Sequence, residues 1–106
     1  MQIDDLKQRL NAIAWQEQIE AELSERPSIG SPADPSLVEG QLRALAASVD
    51  EALLDELERE AGYLIWCLRV AFFVDPAAAK QRAQRHVNST NWRLRHWARC
   101  IAGLKA

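Results

Sequence analysis

From Ile3 the apolar residues Leu6, Leu10, Ile13 and Ala14 follow one another in steps of three and four, the period of one helical face. The pattern predicts a helix as far as about Glu25, because Pro27 biases the residue before it away from the α conformation. A second stripe shares this helix. Trp15, Ile19 and Leu23 recur every four residues and, at about 100° per residue, lie nearly opposite the Leu6 and Leu10 face. A helix with two apolar faces needs two surfaces to pack on. Residues 27–35 (PSIGSPADP) hold three prolines, a glycine and two serines, which marks an irregular loop inside a single domain. Asp34 and Pro35 then read as an N-cap and a first-turn proline. Val38, Leu42, Leu45 and Val49 mark the apolar side of the next helix. Ser48 and Glu51 have capping-box spacing. A new helix can start there, with Leu53, Leu54 and Leu57 as its core face, and the same residues also permit one helix over 36–60.

Between Ala61 and Val74 only Arg69 is charged, and Tyr63, Leu64, Ile65, Trp66, Cys67, Leu68, Val70, Phe72 and Phe73 are apolar on every side. A helix of that kind belongs in the middle of its protein. The aromatic and β-branched content would also suit a strand pair, but the run contains no turn signal. Asp75 and Pro76 repeat the cap and first-turn signature, so a further helix is expected from Pro76 to about Val87, with Ala79, Ala83 and Val87 inward. Asn88, Ser89, Thr90 and Asn91 form a polar turn, and Thr90 or Asn91 is the expected N-cap of a last helix to about Leu104. Leu94, Trp97, Ala98, Ile101 and Leu104 would form its buried side, leaving Trp92, Arg95, His96 and Arg99 on the other. The fold class is therefore all-α, a single compact domain over 1–106 of four or five helices, with Trp66, Leu68, Phe72 and Trp97 in the core.

Composition agrees with that picture, since 106 residues suit one domain and 48% apolar with 26% charged side chains is ordinary for a soluble globule. Charge adds something new. Residues 1–60 carry 14 acidic and 5 basic side chains, whereas residues 61–106 carry Asp75 as the one acid beside 8 basic side chains. Either the two halves attract one another in the fold or one of them engages a charged partner. Arg69, in the most apolar stretch, must reach the surface or meet a carboxylate from the acidic half, because an unpaired buried charge is very costly. Cys67 and Cys100 are the only cysteines and suit buried free thiols in a reducing compartment. Asp4 and Asp5 precede any apolar run, which argues against a cleaved signal peptide. No apolar stretch approaches the roughly 18 residues of a membrane span. A cytoplasmic protein is the expectation.

In the last predicted helix Asn91, Leu94, Arg95, Ala98, Ile101, Ala102 and Gly103 resemble one helix of a HEAT-type repeat, in which a polar turn residue precedes a Val-Arg pair, then an alanine, then an Ala-Leu-Gly ending. The resemblance covers residues 91–103, without a second copy, and implies a scaffold that binds proteins through stacked helix pairs. A helical bundle and a short HEAT-like α-solenoid both accommodate it.

Chemistry-bearing patterns are few. Gly30, Gly40, Gly62 and Gly103 are scattered and form no phosphate loop, and neither GxSxG nor HExxH occurs. His96 and Cys100 share a helix face, but zinc would need further ligands and only His86 and Cys67 remain of the usual types, without signature spacing. Glu51, Asp55 and Glu58 make an acidic stripe that could hold a cation, though such stripes ordinarily line solvated faces. No catalytic residue, metal site or cofactor is expected. The reading that follows is a non-catalytic protein-binding module (adaptor, regulator or immunity-type inhibitor). It would act through Trp15, Ile19 and Leu23, the acidic residues Glu51, Asp55 and Glu58, or both, on another protein or on itself as a homodimer. The alternative is a nucleic-acid-binding protein with Lys80, Arg82, Arg85, Arg95 and Arg99 on phosphates and Trp92 stacked on a base. The acidic half opposes that alternative by repelling a polyanion.

Overall fold

The computed structural model describes residues 1–24 and 37–104, and their side chains except at 20–24, 37 and 61. Among the described residues six α-helices and one 3₁₀ turn follow in order, with no strand: α1 (Ile3–Ser24), α2 (Leu37–Ala46), α3 (Glu51–Glu58), the turn Ala61–Tyr63, α4 (Leu64–Val74), α5 (Pro76–Gln84) and α6 (Trp92–Ala102). The 27–35 loop and the Asp34–Pro35 cap lie outside the described residues.

The chain between 36 and 60 makes two helices. Asp50, and not Ser48, caps the second, its Oδ1 accepting the Leu53 N–H at 2.8 Å. An extended residue with a carboxylate at the cap satisfies one of the amides that every helix start leaves without a partner. Asp75 and Asn91 do the same for α5 and α6, each accepting two backbone N–H groups of the first turn. α5 stops at Gln84, three residues short of Val87, and its chain turns through 85–88 before the polar loop. α6 stops at Ala102, because Gly103 adopts the left-handed conformation at φ 82° and closes the helix with its N–H on the Arg99 and Cys100 carbonyls. Only glycine takes that φ without steric cost. Leu104 therefore falls beyond the helix and is 47% exposed, so it is not part of the buried side expected for it.

α4 is the hub, packing against α2, α3, α5 and α6, while α1 lies across α2 and α3. Its inward residues Cys67, Leu68, Val70 and Ala71 are buried among Leu6, Leu10, Val38, Leu42, Leu54, Leu57, Ala83, Ala98 and Ile101. Leu68 and Trp97 are core residues as expected, but Trp66 and Phe72 are only partly buried and pack against the rim of the core with Phe73. These aromatic residues close the flank of α4 that the other helices leave uncovered. Ala79 and Ala83 are buried where α5 meets its neighbours, and a methyl there lets helices approach closely. No described helix is long and apolar enough to cross a membrane.

Candidate functional site

The two halves of the charge distribution meet inside the molecule. Arg69, 2% exposed on α4, places Nη1 3.0 Å from Glu17 Oε1 and Nη2 2.7 Å from Glu17 Oε2, a bidentate pair. The same Nη2 reaches Glu39 Oε1 at 2.6 Å. Its guanidinium carbon lies over two indoles, 4.5 Å from the Trp66 centroid and 4.2 Å from that of Trp97, where cation–π attraction offsets part of the lost hydration. Neither carboxylate was singled out by sequence reasoning, although a signal exists. Glu17 continues the Leu6, Leu10 and Ile13 face one turn further, and Glu39 shares a side of α2 with buried Ala46. A charged residue on a buried stripe calls for a buried partner.

The acidic stripe of α3 does hold a cation, and the cation is Arg82. This side chain, 5% exposed, reaches Glu51 Oε2 at 2.9 Å, Asp55 Oδ1 at 2.9 Å and Glu58 Oε1 at 2.6 Å. Arg85 Nη1 and His86 Nε2 add contacts to Glu58 at 3.0 Å each. Burial by itself would push the Glu58 carboxyl up. Hydrogen bonds from His86 and Arg82 and the charges of Arg85 and Arg82 outweigh it, and hold the group below its ordinary 4.5. Burial likewise works against the charge on Arg82, and its three carboxylate partners more than reverse that, raising its pKa further. Arg82 thus draws Glu51, Asp55 and Glu58 into one cluster, in which Glu58 is mostly covered while the side chains of Glu51 and Asp55 stay 46% and 59% exposed.

The outward side of α1 is different. Trp15 is 64% exposed and Ile19 38%, opposite the buried Leu6, Leu10 and Ile13, while the Leu23 side chain lies outside those described. Gln16, on the flank of the same helix, is tied to Gln41 of α2 by a 2.9 Å hydrogen bond. The stripe is therefore carried on a helix anchored on its other sides.

The basic stripe proves to be two separate sets of residues. Arg82 and Arg85 belong to the acidic cluster. Trp92, Arg95, His96 and Arg99 stay together and line one groove on α6. Arg95 Nη1 donates to the Ser89 carbonyl at 3.1 Å and Arg99 Nε to the Val87 carbonyl at 2.9 Å. Cys100 Sγ lies 3.8 Å from His96 Nε2. Among the described residues no group of three or more His, Cys, Asp or Glu is placed to hold a metal ion. Compared with protein-family models, curated proteins and solved structures, the chain finds no match.

Proposed function

We propose that this chain is a non-catalytic helical protein-binding module whose contact surface is the outward face of α1, and that a second copy of the chain is the simplest partner. The observation that carries this reading is the exposure of Trp15, 64%, on a helix whose other side is already spent on the core. A tryptophan presented on an anchored helix offers large contact area at little ordering cost. A two-fold axis lets such a stripe meet itself, so one patch serves both protomers. Against a binding role for the acidic residues stands their engagement by Arg82. The module is a bundle centred on α4, to which α6 contributes the segment that resembles a HEAT helix.

Sedimentation equilibrium over a concentration series tests the proposal. The wild type is expected to dimerise at tens of micromolar, and Trp15→Glu to be monomeric with the same helical circular dichroism. A monomeric wild type whose melting falls when Trp15 is replaced by alanine overturns it, since the stripe would then be internal core.

A further inference from the structure

The groove on α6 carries an inference independent of the α1 surface. Its lining by Trp92, Arg95, His96 and Arg99 encloses about 280 Å³, close to the lower end, about 300 Å³, of small-molecule sites. Its arginines differ from Arg69, Arg82 and Arg85. Arg69, Arg82 and Arg85 are each engaged by carboxylates, whereas among the described residues Arg95 and Arg99 meet backbone carbonyls and no carboxylate. One hydrogen bond each to the 85–91 connection aims the guanidinium, and most of its five N–H donors remain for a ligand. The arginines stand one helical turn apart on the same face. Two positive charges on one helix face, with no acid of the described residues paired to either, repel one another, and an oxyanion placed between them removes that repulsion.

The rest of the groove narrows the ligand. Asn91 Oδ1 already accepts the Arg93 and Leu94 amides, at 3.1 and 3.2 Å, so the start of the helix is capped and the arginines are the anion donors. Trp92 is 54% exposed and forms an apolar wall beside them. Arg93 lies over its ring at 5.7 Å, which helps to hold the indole in place. An oxyanion with a flat apolar group attached would use both parts. We propose that this groove binds a phosphate monoester joined to a planar ring, the chemistry of a mononucleotide, with Arg95 and Arg99 on the phosphate oxygens and Trp92 stacked on the ring. A free nucleotide and the 5′ end of a single strand present the same group.

Amide chemical-shift titration of the full chain tests this with three probes: AMP, a 5′-phosphorylated hexa-adenylate, and adenosine. AMP is expected to shift amides within 89–100 and to bind at least about tenfold more tightly than adenosine, the contribution of charge-assisted contacts to the phosphate. Arg95→Gln and Arg99→Gln should each weaken AMP by about tenfold. Trp92→Ala, at a side chain mostly in solvent, should weaken it with the fold intact. Equal affinity for AMP and the oligomer identifies a free nucleotide as the ligand. A much tighter oligomer identifies a strand end. The proposal is overturned if AMP binds no better than adenosine, if Arg95→Gln and Trp92→Ala bind AMP as the wild type does, or if the shifts gather around Arg9, Arg43 and Arg59. Trp15→Glu should leave AMP binding unchanged, which separates this site from the α1 surface.

Discussion

The guanidinium carbon of Arg69 lies 4.2 Å from the centre of the Trp97 ring, which ties α4 to α6 at the point where Glu17 and Glu39 tie α4 to α1 and α2. Four helices thus converge on one side chain. An apolar residue in its place would pack without orientation, whereas the planar guanidinium fixes where each carboxylate and each indole must sit.

Removing Arg69 should therefore cost far more than an average point change. Arg69→Met keeps an apolar stem but leaves Glu17 and Glu39 facing one another without their cation. Urea unfolding is expected to show a loss of about 3–5 kcal/mol, the usual consequence of breaking a buried pair from one side. Restoring neutrality with Glu17→Gln and Glu39→Gln in the same chain should recover part of that loss. A single variant as stable as the wild type would show that the network contributes nothing to stability.

Acid should weaken the fold in part through Glu58. Its folded pKa lies below 4.5 because His86, Arg82 and Arg85 favour the charged form, so in the unfolded chain the group binds its proton at higher pH. The stability it adds is fully present above its unfolded pKa and is lost as pH falls through the folded value. Stability measured from pH 6 down to about pH 3 should fall less steeply in Glu58→Gln than in the wild type. Parallel curves for the two proteins would contradict the assignment.

The two thiols should separate cleanly in a labelling experiment. Cys67 is buried, lies 3.4 Å from the Leu54 carbonyl, to which its thiol donates, and has its pKa pushed up to about 12 by burial. Since the thiolate is the reactive form, an alkylating reagent at neutral pH should modify Cys100, which is half-buried on α6, and leave Cys67 intact until the domain unfolds. Peptide mapping after brief exposure checks this. Modification of both residues at one rate would place Cys67 in solvent.

Much of this fold is legible in the hydrophobic pattern, and the limits have physical causes. Period alone places Leu6, Leu10, Val38, Leu42, Leu54 and Leu57 in the core, where all are found. Proline and acidic caps mark the start of α5, and Asn91 that of α6. The end of α6 is not legible in the period, because Leu104 keeps the apolar spacing while Gly103 ends the helix, and backbone geometry takes precedence over period. Residues 36–60 divide into two helices at Asp50, whose capping role depends on backbone angles that no spacing reveals. In the charged regions the sequence gives the sum but not the pairing. The excess of acid in one half and base in the other implies attraction, yet that Arg82 and not Arg69 meets Glu51, Asp55 and Glu58 follows from how α3 and α5 lie against α4.

The two faces of α1 make the sharpest contrast available within a single helix. Leu10 is fully buried and Trp15, five residues on, is 64% exposed. Leu10→Ala should cost about 2–5 kcal/mol, since it removes buried methyl groups from a core that can only partly collapse. Trp15→Ala should change the stability of the monomer by less than about 0.5 kcal/mol, as expected for surface positions. It is nevertheless expected to shift the sedimentation equilibrium towards monomer. Measured at a concentration low enough to dissociate any dimer, urea unfolding of the two variants separates the contributions, because Leu10 acts through folding alone. If Trp15→Ala lost as much stability as Leu10→Ala under those conditions, both faces of α1 would be core and the helix would have no surface left for a partner.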